Sequence, residues 1–137
     1  MIKIINGAKY IKEIETNDLL SKHKKHIRNC FAEYGREIKD ELFKVITTGS
    51  RTGRVYKYKG VSYTASAPGE PPANRSGRLA DSFRYTARQI ELVVFSELDY
   101  SLFLEEGTVR MQPRPFFVKT NENNAYRLEN SLNDLRT

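Results

Sequence analysis

Between Asn17 and Ile46 apolar residues return in steps of three and four, at Leu20, Ile27, Cys30, Phe31, Tyr34, Ile38, Leu42, Val45 and Ile46. That spacing puts them on one side of an α-helix, so the stretch predicts a single amphipathic helix whose apolar side must be covered. At 1.5 Å per residue it runs to roughly 45 Å, the span of a small domain. In a chain of 137 residues such a helix is the spine on which the rest packs, and we expect one domain over residues 1–137. Thr16, Asn17 and Asp18 offer N-caps, and Gly49 stands just past the end.

The helix is electrically lopsided. Lys22, Lys24, Lys25 and Arg28 crowd its first half, while Glu33, Glu37, Asp40 and Glu41 load the second. The helix dipole opposes cations near the N-terminus by only about 0.3–1 kcal/mol each when exposed, so the fold tolerates them. The arrangement favours head-to-tail contact between copies; the alternative is a plain solvated face. His23 and His26 lie three apart with no third ligand at suitable spacing, and no metal is expected. Cys30 sits on the apolar stripe and reads as a packed thiol. As the single cysteine it forms no internal disulfide, which suits assembly in the cytoplasm.

Around this spine the chain carries shorter signals. Ile2, Ile4 and Ile5 read as a strand ending at the turn-forming Asn6-Gly7, and Ala8 to Ile14 fits either a returning strand or a helix. Val55 to Thr64 alternates Tyr56, Tyr58, Val61 and Tyr63 with polar residues about Lys59-Gly60, the pattern of a β-hairpin. Residues 65–77 form a Pro/Gly-rich loop that Pro68, Pro71 and Pro72 hold extended, an arm that could reach a neighbour. Ser76 to Ser82 suggests a short helix capped by Ser76. Phe83, Tyr85 and Ala87 alternate as a strand, Arg88-Gln89 turns, and Ile90 to Phe95 is the apolar strand expected at the sheet centre.

A corner follows. Tyr100, Leu102, Phe103 and Leu104 mark a helical turn stopped at Gly107, and Pro115 restarts a helix with Phe116 and Phe117 at its head. Tyr100, Leu104 and Phe116 are expected to pack the corner onto the sheet and the long helix. The last helix reads from Phe116 to Leu135, weakened by the polar run Asn121 to Asn124.

Charge narrows the partners. The net charge is +6, and the segment Arg51 to Arg88 holds eight basic residues against two acidic ones, which is the whole surplus. Such a segment suits a polyanion or an acidic protein face, the alternative being a plain solvated surface. No apolar run approaches the roughly 18 residues of a membrane span, and no charged-then-apolar leader opens the chain, so neither insertion nor targeting is expected.

Read in order, these features have a family likeness. The lead-in APGEPPANRSG, then Gly77-Arg78-Leu79 with Ser82, a two-stranded unit, Tyr100 with Leu104, Glu105, Gly107 and Thr108, and Arg114-Pro115-Phe116 together resemble the small neck proteins of long-tailed double-stranded DNA phages and prophages. These are head-tail joining or tail-completion proteins. Glu106 departs from the family pattern, which more often has an apolar or aromatic residue there.

The resemblance implies an α+β fold, with a small, mainly antiparallel sheet packed against one long N-terminal helix and a C-terminal helix. It implies a virion protein that is not an enzyme, needs no cofactor, assembles in the host cytoplasm and forms a homo-oligomeric ring between the portal and the tail. Its partners would be portal or connector proteins, tail-terminator and tail-tube proteins, and non-specifically the DNA in the channel. Contact candidates are Pro68, Glu70, Pro71, Pro72, Arg75, Glu105, Thr108, Arg110 and Arg114. DNA-facing candidates are Arg51, Arg54, Lys57 and Lys59. Tyr100, Leu104, Gly107, Pro115 and Phe116 form the structural corner.

Two other readings compete. A small nucleic-acid-binding module would use the basic segment with Tyr56, Tyr58 and Tyr63 as stacking surfaces. An enzyme would rest on Asp99, Glu105 and Glu106, but neighbouring carboxylates on a helix diverge and no basic or metal partner adjoins them in sequence.

Overall fold

A computed structural model of the chain describes residues 5–6, 17–88 and 91–134, with side chains from residue 24 onward. The fold is mixed α+β: one long helix packed on two small antiparallel sheets, with a C-terminal helix beside it. The expected Ile2 and Ile4, the Asn6-Gly7 turn, the segment Ala8 to Ile14, the Thr16 cap, Gln89, Ile90 and Leu135 lie wholly or partly outside the described residues. So do the side chains of Leu20, Lys22 and His23.

The spine is α1, Asn17–Thr47. Ile27, Phe31, Tyr34, Ile38, Leu42 and Ile46 are at most 2% exposed and Cys30 5%, so the sequence stripe is the buried face. Burying each large side chain contributes about 1.5–3 kcal/mol. Val45 is half-buried against the same core. Lys24, Lys25 and Arg28 are exposed on the first half.

The sheet under α1 has the order β1-β5-β4, from β1 (Ile5–Asn6), β4 (Phe83–Ala87) and β5 (Glu91–Ser96). The apolar strand is thus central, as its composition predicts. In β4 and β5 the register pairs Tyr85 with Val94 and Ala87 with Leu92, so these four share the face under α1. Gly35 lets the two layers meet: a Cβ there would lie 2.6 Å from Tyr85 Cδ2 and 3.0 Å from Leu92 Cδ1.

A second sheet is the hairpin of β2 (Val55–Tyr58) and β3 (Val61–Thr64). Lys59 and Gly60 both take positive φ, 50° and 79°, the mirror-image turn that suits strand twist. The helix expected over Ser76 to Ser82 is only a 3₁₀ turn, Ala80–Ser82. Its first residues are instead bent at Gly77 (φ 80°), and Ser82 bonds outward to Ser96 Oγ at 2.6 Å.

α2 spans Tyr100–Glu106 and α3 Phe117–Asn133. Phe83, Phe116 and Phe117 form an aromatic cluster with ring centres 5.9–6.1 Å apart that joins β4 to α3. The polar run does not interrupt α3. Asn121 Oδ1 accepts the Tyr34 hydroxyl at 2.6 Å, and buried Asn124 donates to Thr120 O at 2.8 Å, so these polar groups are satisfied where they sit.

Candidate functional site

The corner from Tyr100 to Phe117 is held by an internal carboxylate. Glu105 Oε2 accepts the backbone N–H groups of Phe116 and Phe117 at 2.8 and 2.9 Å, and Oε1 that of Val118 at 3.1 Å. Free N–H groups at a helix start and the positive end of its dipole both favour an anion there. Glu105, a contact candidate by sequence, is therefore a cap within the chain. Pro115 stands before the cap residue Phe116 instead of inside the first turn.

Gly107 ends α2 with φ 78°, and a Cβ there would lie 2.8 Å from Met111 O. The loop closes tightly on itself through Thr108 N–H to Met111 O at 2.8 Å. Val109 at its tip is fully exposed, and Arg110 beside it is exposed. Phe116 is buried and Leu104 half-buried against the core, as expected. Tyr100, however, is 41% exposed, and Leu102 and Phe103 also face outward. An α2 of only two turns gives one narrow inner side, which Ser101 and Leu104 occupy.

The Pro-rich loop is not a free arm. The Arg51 guanidinium donates to Val45 O at 2.9 Å, Thr48 O at 3.1 Å and Pro72 O at 3.1 Å, so it caps the C-terminal end of α1 and ties the loop to it. Glu70 accepts the N–H groups of Ala67 (2.8 Å) and Thr52 (3.0 Å) and the Thr52 hydroxyl. These bonds, led by that of the hydroxyl, hold its carboxyl down to a pKa of about 2. Arg114 reaches Ser66 Oγ at 3.0 Å, and Gly69 N–H reaches Pro113 O at 3.2 Å, which docks the loop on the corner. The Arg51 guanidinium, a DNA-facing candidate by sequence, is thus engaged by backbone carbonyls of α1 and the loop. Glu70, Arg114 and buried Pro72 are likewise taken up inside the chain, whereas Pro68, Thr108 and Arg110 are exposed and Pro71 half-exposed.

Arg75 leads somewhere else. Its guanidinium carbon sits 3.9 Å from the Tyr58 ring centre and 5.6 and 5.9 Å from those of Tyr63 and Tyr56. Tyr56 and Tyr63, paired across the hairpin, stack at 5.8 Å. These rings, with Asn74, Arg78 and Tyr100, line an open cavity of about 650 Å³. Strand alternation puts Tyr56, Tyr58 and Tyr63 on one side and Lys57 on the other. Lys59 joins the Tyr side, its ammonium 5.5 Å from the Tyr58 ring centre. Arg54 is exposed.

Elsewhere, burial, with the nearby carboxylates of Glu33 and Asp134, pushes the Cys30 thiol above its ordinary pKa, so it is a core group. Arg127 on α3 takes Glu37 and Glu41 at 3.9 and 3.7 Å, which leaves Glu33 and Asp40 as the exposed acids among the described side chains of α1 and blunts its charge asymmetry. Among the described residues no three His, Cys, Asp or Glu groups converge as a metal site, and no helix is long and apolar enough to cross a membrane. Val109 has one sequence signal, an apolar residue inside a polar loop led by glycine. The Arg75 stack has none, since it joins segments far apart in the chain. Comparison with protein-family models, with curated proteins and with solved structures finds no match to this chain.

Proposed function

We propose that this chain is a non-enzymatic structural subunit of the phage head-tail junction, acting by ring assembly and by contact with portal and tail proteins. One observation carries most of the reading: the corner presents Leu102, Phe103 and Val109 outward on a rigid frame. Exposed large apolar side chains on a held loop and a short helix are a recognised mark of a protein interface. The Glu105 cap, the Gly107 turn and the Arg114 bond fix that frame, so little ordering entropy is lost on contact.

The occupant of this surface is a second copy of the chain, and its counterpart is a different patch, because rings are built from heterologous contacts. Exposed Phe43 on α1, with Asp40 one turn before it, supplies an apolar residue beside an acid. Val109 with Arg110 supplies the reverse, an apolar residue beside a base. The order of motifs from Pro68 to Phe116 supports the same reading through its likeness to neck proteins.

The test is functional complementation. Extracts lacking a neck component should regain infectious particles when the purified chain is supplied from its own phage or prophage. Val109→Asp should remove that rescue while its circular dichroism stays that of the parent. Failure of the parent chain to rescue would overturn the reading.

A further inference from the structure

We infer that the Tyr58–Arg75 stack and the cavity beside it form a binding site for a nucleotide unit of a single strand, its base flat on the guanidinium and its phosphate on Arg78. The site rests on four observations. The Arg75 guanidinium lies over the Tyr58 ring with its central carbon 3.9 Å from the ring centre, and the residue is exposed to solvent, within reach of a ligand. Among the described residues no carboxylate pairs with Arg75, and neither Asp nor Glu lines the cavity. Glu70, the nearest acid in sequence before Arg75, is occupied by Thr52 and Ala67. The cavity, at about 650 Å³, has the size of a small-ligand site.

The chemistry selects a nucleotide. A planar cation on an aromatic ring accepts a further flat π-system, as bases stack on arginine planes in single-strand recognition. Arg78 in the lining adds positive charge, as does Lys59 with its ammonium 5.5 Å from the Tyr58 ring centre, and Asn74 offers both a donor and an acceptor to a base edge. A duplex keeps its bases stacked inside, so it meets only the charges. An acidic peptide would meet the same charges but leave the flat guanidinium face unused.

The inference concerns a surface other than the proposed subunit contact. Tyr100 and Leu104, one helical turn apart on α2, line the cavity, whereas Leu102 and Phe103 do not. Strand binding and complementation are separate readouts, so either can fail alone.

The experiment is fluorescence anisotropy of the full chain with labelled (dT)12 and (U)12 strands, the matching 12-base-pair duplex and a poly-glutamate peptide, all at one salt concentration. We expect either strand to bind at least tenfold more tightly than the duplex or the peptide. Tyr58→Ala and Arg75→Lys should each weaken strand binding roughly five- to hundredfold, the loss of one stacked base. Lys57→Ala, on the opposite side of the hairpin, should change it by less than about threefold, the scale of one exposed charge. Urea melting keeps only variants with parental stability in the comparison. Equal binding of duplex, preference for the peptide, or unchanged strand affinity in Arg75→Lys would overturn the site. Thymidine monophosphate competing as strongly as the strand would overturn its assignment to a strand.

Discussion

Glu105 Oε2 accepts the Phe116 N–H at 2.8 Å, and this bond makes the turn after α2 and the start of α3 one mechanical unit. The carboxylate also takes the next two N–H groups, so it does for α3 what a local Ser or Asp cap does for other helices. Glu105→Ala should destabilise the chain by about 1–2 kcal/mol, the range for loss of an N-cap. Glu105→Gln should recover part of it, because an amide oxygen accepts but carries no charge. Urea denaturation of the three proteins checks this, and equal midpoints would remove the cap from the account.

Gly35 is the second structural test. Alanine has the better helix propensity by about 0.5–1 kcal/mol, yet its Cβ would fall 2.6 Å from the Tyr85 ring. Steric crowding should win, with Gly35→Ala destabilising by roughly 1–3 kcal/mol. Adding Tyr85→Leu should relieve the crowding, giving a double mutant more stable than the sum of the two changes predicts. Additive losses would show that the layers part freely at this point.

Acid should loosen the Pro-rich loop before it unfolds the core. The Glu70 carboxyl has a folded pKa of about 2 against an ordinary 4.5. A lowered folded pKa means that its stabilisation is complete above pH 4.5 and is lost as pH falls from there towards 2. NMR titration of the Glu70 side chain should place its midpoint near 2. The difference in thermal midpoint between the parent and Glu70→Gln should shrink over the same window. A midpoint near 4.5 would mean that Thr52 and Ala67 do not hold the carboxylate in solution.

What sequence made legible was periodic or local. The three-and-four spacing of Ile27, Phe31, Tyr34, Ile38 and Leu42 marked the buried face of α1, and the Lys59-Gly60 turn marked the hairpin. The strand Glu91–Ser96 showed its central place through its apolar composition. The roles of Glu105, Arg75 and Asn121 were not legible, because each is set by a partner 11 or more residues away that no local pattern encodes. Asn121 read as a weak point in α3 only until Tyr34, 87 residues earlier, supplied its bond. Arg51 carried a usable hint, a cation two residues past Gly49, where a helix end attracts positive charge. For the candidate surfaces, sequence marked the loop around Val109 and the tyrosines of the hairpin, but burial decided which side chains remain outside.

The central claim, that copies of this chain assemble through the corner, is tested most directly by native mass spectrometry across a concentration series, alone and with a portal protein. The parent chain should pass from its 15.8 kDa subunit to a closed ring of discrete mass, and Phe103→Asp with Val109→Asp should stay at the subunit mass while remaining folded. A parent chain that stays a single subunit at every concentration, with and without the portal protein, would contradict the account.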